Sequence, residues 1–176
     1  MLLGNGTGRY GAATNFAVAG KSISIATGDF NLDGKLDVAS ANATSDNVSV
    51  LLGNGAGSFN PAINLAVGTR PISVAVADLN QDGWLDIVTG NQNSSNISVL
   101  LGTGGGSFAA ATNFTAGTAP TSITIEDFNL DGKLDIAAGN SGSSDVSVLF
   151  GDGAGSFAAA TNFALGANPG AIADGD

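Results

Sequence analysis

The chain contains neither cysteine nor histidine. Those two absences remove disulfides, thiolate and imidazole metal ligands, cysteine nucleophiles and histidine acid–base chemistry together. Charge is scarce as well. Charged residues make up 11 % of the sequence, against about 25 % in an average domain, so the polar surface has to come from Ser, Thr, Asn and Gly. Only five residues are basic. Phosphate backbones need a basic face that five dispersed cations cannot supply, which argues against nucleic acid as a partner. No apolar run is long enough to cross a bilayer, so membrane insertion is not expected. The first residues do not read as a signal peptide, because Met1-Leu-Leu-Gly-Asn-Gly matches Val50-Leu-Leu-Gly-Asn-Gly further along the chain.

What is present is repetition. Glycine occurs 27 times against four prolines, which points to many tight turns, and Val and Ile alternating with Ser, Thr and Ala between them suggest strands. Three loops recur at positions 29, 78 and 127, an interval of 49 residues. They read Asp29-Phe-Asn31-Leu-Asp33-Gly34-Lys35-Leu-Asp37, Asp78-Leu-Asn80-Gln-Asp82-Gly83-Trp84-Leu-Asp86 and Asp127-Phe-Asn129-Leu-Asp131-Gly132-Lys133-Leu-Asp135. The Gly4-x-Gly-x-Gly8 segment returns at Gly53, Gly102 and Gly151 in the same phase. Aromatic and leucine columns keep step: Tyr10, Phe59, Phe108 and Phe157; Phe16, Leu65, Phe114 and Phe163; Phe30, Leu79 and Phe128. Constant spacing without insertions means one structural unit per repeat, each stacked on its neighbours.

Four strands are predicted per unit, in the second unit at about 71–77, 84–89, 96–101 and 107–116. Four short antiparallel strands in a unit of this length make a β-propeller blade. The expectation is therefore an all-β chain of about three and a half blades. Residues 1–19 form a partial blade (strands three and four), 20–68, 69–117 and 118–166 form complete ones, and 167–176 start the next. Propellers close with about 4 to 8 blades, so missing parent sequence or oligomerisation would have to complete the ring. Asp176 aligns with Asp78 and Asp127 as the first residue of a fourth loop, but Asp174-Gly-Asp176 puts charge where Val76 and Ile125 stand, making strand pairing there doubtful.

The loops read as sites for a hard cation. Ca²⁺ takes 6 to 8 oxygens, and alternating side chains plus one carbonyl can wrap it. Asp29, Asn31 and Asp33 would supply side-chain oxygens at positions one, three and five. Lys35 would offer its carbonyl at position seven, and Asp37 would close the site at position nine. The second loop offers Asp78, Asn80, Asp82, the Trp84 carbonyl and Asp86; the third offers Asp127, Asn129, Asp131, the Lys133 carbonyl and Asp135. Glycine at position six permits a positive φ. An EF-hand is excluded, because position twelve is Ser40, Thr89 or Ala138 where that loop needs an acid, and the flanks are strand-like. Nine of the 15 acids lie in these loops, and three divalent ions would bring the formal charge from −10 to about −4, an ordinary value for a small domain. Mg²⁺ prefers to keep its water, and Zn²⁺ prefers His and Cys.

On the Asp-x-Asn-x-Asp-Gly-x-x-Asp loops and the Gly-x-Gly-x-Gly-x-Phe segments (Gly53 to Phe59 and its equivalents), the chain resembles the FG-GAP or VCBS repeat family, known from the seven-bladed propeller of integrin α subunits. The resemblance covers essentially the whole chain. It implies a calcium-bearing propeller, usually extracellular, that serves adhesion or the recognition of protein or carbohydrate.

Other features weigh less. Trp84, the only Trp, replaces Lys35 and Lys133; if position seven contributes only a carbonyl, its side chain is free to vary, the alternative being a sugar-stacking platform. The aromatic column led by Tyr10 reads as core between units. Sequons at Asn42, Asn47, Asn93 and Asn96 arise readily in a chain this rich in Asn and Ser. The turns 42–47, 91–96 and 140–145 differ between repeats and are candidate ligand surfaces. For catalysis the chain offers only Tyr10, Glu126, a few Lys and the loop carboxylates, so no enzyme is expected. The sequence reads as a non-enzymatic extracellular recognition or adhesion module with three structural Ca²⁺ ions. Self-assembly through exposed blade edges and a carbohydrate-binding lectin are the alternatives.

Overall fold

The computed structural model describes residues 1–173; the readings made on Asp174 and Asp176 lie outside them. Among the described residues there is no helix. Three four-stranded antiparallel sheets follow one another along the chain. The first contains β1 (Ser22–Gly28), β2 (Asp37–Asn42), β3 (Asn47–Leu51) and β4 (Ile63–Ala66) in that order. The second contains β5 (Pro71–Ala77), β6 (Asp86–Asn91), β7 (Asn96–Leu100) and β10 (Thr112–Thr115), again in chain order, with a two-stranded hairpin of β8 (Gly102–Gly104) and β9 (Ser107–Phe108) between the last two. The third contains β11 (Pro120–Glu126), β12 (Asp135–Asn140), β13 (Asp145–Leu149) and β14 (Thr161–Ala164).

The first strand of the second unit runs as predicted, whereas the second is displaced two residues along the chain and the fourth is shorter than expected. Trp84 and Leu85 stay in the loop because pairing begins only at Asp86 with Ala77. The stretch 107–116 divides, since Ser107 and Phe108 fold back on Gly102 and Gly104 while Thr112–Thr115 pairs with β7. Residues 1–20 contain no strand; one bridge, Gly4 to Tyr10, keeps the hairpin of the glycine segment, as Gly53 to Phe59 and Gly151 to Phe157 do later.

Sheets stack face to face, and the core lies between them. Phe30, Val48 and Val50 of the first unit bury against Val74, Ile87 and Leu100 of the second. Leu79, Ile97 and Val99 repeat the arrangement against Ile136, Ala138 and Leu149 of the third. The inner strands lie side by side, and a serine on each accepts the free N–H of the next. Val74 N donates to Ser24 Oγ at 3.3 Å, Ile123 N to Ser73 Oγ at 3.2 Å and Ile172 N to Ser122 Oγ at 3.2 Å. An edge that would otherwise present unpaired donors is thereby closed by its neighbour.

A buried polar network recurs in every sheet. Asn42 Nδ2 donates to Asn47 Oδ1 at 2.9 Å and Ser49 Oγ at 2.7 Å, and Ser49 Oγ donates to Asn64 Oδ1 at 2.6 Å. Asn91, Asn96, Ser98 and Asn113 repeat this set, as do Asn140, Asp145, Ser147 and Asn162. The ends of the turns that vary between repeats are thus committed to the fold, and the Asn42 side chain is fully buried. The remaining oxygen of Asn42 accepts from Ser40 and that of Asn91 from Thr89. In the third unit Ala138 occupies that position, and Asn140 Oδ1 is buried without a partner. A buried acceptor left unmade costs about 1–3 kcal/mol. Ala138→Ser is therefore expected to raise the unfolding free energy by about 1 kcal/mol and Thr89→Ala to lower it by a similar amount or more, both measured by denaturant titration.

Candidate metal centre

Each candidate loop joins the first two strands of its sheet, and its backbone takes the left-handed conformation twice. Position six does so through glycine, at φ 80° for Gly34, 88° for Gly83 and 84° for Gly132. Position four does so without glycine, at φ 55° for Leu32 and 59° for Gln81 and Leu130. The sequence signalled the first and gave no sign of the second. The two reversals wind the loop so that side-chain oxygens turn inward. Asp33 N donates to Asp29 Oδ1 and to Asn31 Oδ1, both at 3.1 Å. Asp82 N lies 3.1 Å from Asp78 Oδ1 and 3.3 Å from Asn80 Oδ1; Asp131 N lies 3.1 Å from Asp127 Oδ1 and 2.9 Å from Asn129 Oδ1. The oxygens of positions one and three thus converge on the position-five amide in all three loops.

The second oxygen of position one accepts from the glycine: Gly34 N to Asp29 Oδ2 at 2.7 Å, Gly83 N to Asp78 Oδ2 at 2.9 Å, Gly132 N to Asp127 Oδ2 at 2.8 Å. Position five accepts from the position-seven amide, with Lys35 N on Asp33 Oδ1 at 3.0 Å, Trp84 N on Asp82 Oδ1 at 2.8 Å and Lys133 N on Asp131 Oδ1 at 3.0 Å.

Position nine stands apart. Asp37, Asp86 and Asp135 are all fully buried, and each spends both carboxylate oxygens on backbone amides. Asp37 Oδ2 accepts from Phe30 N at 2.9 Å and Oδ1 from Gly53 N at 2.7 Å. Asp86 holds Leu79 N at 2.8 Å and Gly102 N at 2.7 Å, and Asp135 holds Phe128 N at 3.1 Å and Gly151 N at 2.8 Å. The carboxylate therefore ties the start of the loop to the glycine segment 16 residues on. Gly53, Gly102 and Gly151 are the partners that sequence reading missed. A Cβ on any of them would run into the carbonyl of Leu36, Leu85 or Leu134, so only glycine brings its N–H this close. Burial pushes the Asp86 carboxyl above its ordinary range, against the pull of the two amides.

Position-seven side chains are not free either. Each lies over the glycine segment of its own unit, Lys35 beside Gly55, Trp84 beside Gly104 and Lys133 beside Gly153. Trp84 is half-buried there, so it is neither an open platform nor an idle side chain. Lys35 also turns its ammonium to Asp33, Nζ to Oδ2 at 2.8 Å, whereas the Lys133 to Asp131 pair is looser at 3.7 Å. The hydrogen bond to that ammonium holds the Asp33 carboxyl below its usual range.

Among the described residues no three His, Cys, Asp or Glu side chains are gathered closely enough to hold an ion as they stand; the carboxylates face the loop's own N–H groups instead. The donor set nonetheless fits a hard cation. Positions one and five are carboxylates and position three is an amide with one oxygen, and an ionised carboxylate has about four lone-pair sites, of which the amides use one or two. Position nine spends both oxygens on amides, as position one does, and differs from it in being fully buried.

Three sheets in a 49-residue phase, each entered through an Asp-rich loop and closed by a glycine hairpin, define a β-propeller-like repeat protein. The profile of the FG-GAP-like repeat matches residues 29–89 and again 78–138. The chain belongs to the FG-GAP-like repeat family. No curated protein matches it.

Position nine and position five should separate by experiment. Asp86→Ala leaves two buried amides without an acceptor and is expected to cost on the order of 4 kcal/mol whether or not metal is present. Asp82→Ala, at an exposed position, is expected to leave metal-free stability nearly unchanged. Thermal melts in chelator measure both.

Proposed function

We propose that this chain is a non-enzymatic, calcium-binding β-propeller module for extracellular adhesion or recognition, with three Ca²⁺ ions acting structurally. The convergence of the oxygens of positions one and three on one amide, repeated in three loops, is the observation that carries the reading. Clustered carboxylates repel one another, and a divalent cation would cancel that repulsion while holding the link between the first two strands of each unit. Asp29, Asn31 and Asp33, with the Lys35 carbonyl and Asp37, would hold the first ion, and the equivalent residues the other two. When bound, the ion supplies rigidity and charge compensation and no chemistry of its own.

The extracellular assignment rests on the company these repeats keep, typically extracellular proteins, and on the millimolar calcium found there. Modules of that kind bind Ca²⁺ with dissociation constants of about 10⁻⁴ to 10⁻³ M. No helix among the described residues is long and apolar enough to cross a membrane. The stacking of three sheets is in keeping with blades of a propeller, whose ring further blades would complete.

Chelation is expected to lower the melting temperature clearly, and an unchanged melt in excess EGTA would sink the structural-calcium reading. Asp33→Ala, Asp82→Ala and Asp131→Ala should each remove one ion from the stoichiometry found by calorimetry. Trp84 gives the second site its own signal. Terbium luminescence excited through that indole should vanish in Asp82→Ala and persist in Asp33→Ala.

A further inference from the structure

We propose that the second and third cation sites are coupled through the side chain of Gln81, so that filling either one tightens the other, while the first site fills on its own. The proposal rests on the calcium reading of the loops. Gln81 stands at position four of the second loop, between Asn80 and Asp82, and its Nε2 donates to the carbonyl of Gly132 at 2.9 Å. Gly132 is position six of the third loop. The hydrogen bond therefore runs directly from one acidic loop to the next, across the junction of two units.

The bond falls on the peptide that shapes the third site. The peptide unit joining Gly132 to Lys133 is gripped from both sides: its carbonyl accepts from Gln81, and its N–H donates to Asp131 Oδ1 at 3.0 Å. Gly132 N in turn donates to Asp127 Oδ2 at 2.8 Å. Gln81 thus bears on the carboxylates of positions one and five, and on the residue whose carbonyl would serve position seven. At the other end, Gln81 takes its φ of 59° within the turn that brings Asn80 Oδ1 to the Asp82 amide. Its two neighbours are also joined directly, Asn80 Nδ2 donating to Asp82 Oδ2 at 2.9 Å. Fixing Asn80 and Asp82 on an ion would fix the Gln81 backbone between them, and with it the donor to Gly132. The third loop would then have less freedom left to lose on binding, which is positive coupling carried by ordering. Linkage makes the effect reciprocal.

The first loop lacks this link. Leu32 and Leu130 hold position four in the other two loops, and neither side chain carries a donor. The first loop reaches the second unit differently: Phe30 O accepts from Gly106 N at 3.1 Å, and the Phe30 ring meets Phe108 edge to face at 5.7 Å between ring centres. Both partners belong to the glycine hairpin, and neither lies in the second acidic loop. In the core Phe30 and Leu79 are alike, each seated against the next unit. Glutamine at position four is what singles out the second junction.

Terbium titration of the full chain, read by luminescence through Trp84, follows the second site, and a double-mutant cycle isolates the coupling. The cycle compares wild type, Asp131→Ala, Gln81→Leu and the double variant. Leucine adopts φ 55° and 59° at the equivalent positions, so Gln81→Leu keeps the loop, and circular dichroism checks the folding of each variant. Loss of the third site through Asp131→Ala is expected to weaken terbium at the second site about two- to fivefold more with Gln81 present than in the Gln81→Leu background, the lower range of one hydrogen bond for an exposed pair. The through-space effect of the lost charge is common to both backgrounds and cancels. The same cycle with Asp33→Ala should show no such difference. An equal effect of Asp131→Ala in both backgrounds overturns the coupling and leaves the calcium reading standing. So does a difference of the same size in the Asp33→Ala cycle. A wild type that takes up neither terbium nor, by calorimetry, calcium overturns both.

Discussion

Each unit is organised by one buried carboxylate. Asp37, Asp86 and Asp135 reach two amides far apart in sequence, one opening the acidic loop and one opening the glycine hairpin. An ionised group fully removed from water is costly unless its charge is met by hydrogen bonds, and here two short ones meet it. The consequence reaches outward from the clamp. The hairpin is held where its aromatic can meet the previous unit, and the loop is held where its oxygens turn inward. Stacking and the candidate site therefore depend on the same side chain.

Between units the ties are of two kinds, apolar and polar. The apolar contacts lie on the sheet faces, where Phe30 and Leu79 are almost wholly buried. The polar ties are made at serines, of which Ser98 and Ser147 are as buried as the apolar contacts. Serines accept from the next inner strand on one side, and Gly68 N and Gly117 N donate to Ser98 Oγ and Ser147 Oγ on the other. A sheet rotated out of place would lose both sets together, so small residues at fixed phase do for orientation what the core does for attraction.

The sequence announced the period, the strand count and the acidic loops, because identical spacing leaves little freedom in what each position faces. It also placed the first strand of the second unit correctly. What it hid were contacts made by backbone. Asp37 was legible only as a ligand at position nine, because its partners, Phe30 N and Gly53 N, are amides and leave no mark on residue identity. Leu32, Gln81 and Leu130 gave no hint of a left-handed backbone, since such residues rarely adopt one. Trp84 seemed free to vary because the glycine beneath it, Gly104, has no side chain to advertise a contact. The fold was thus more legible than the site, whose geometry is set largely by main-chain donors.

That hidden strain bears on what the loops are for. A left-handed residue other than glycine costs about 1–2 kcal/mol, and position four accepts that cost three times. The apolar core does not require it, for Leu130 is 89 % exposed. A connection that only joined two antiparallel strands has a cheaper solution, a two-residue turn of Asn-Gly or Asp-Gly type. Such a turn would also keep carboxylates apart. These loops take a longer path, strain position four and bring the oxygens of positions one and three to one point. Backbone amides offset part of the resulting repulsion. Lys35 offsets a little more at Asp33, while Trp84 leaves Asp82 no such counter-charge. On the proposed reading a divalent cation would offset the remainder in all three loops alike, and the second loop has the most to gain from it.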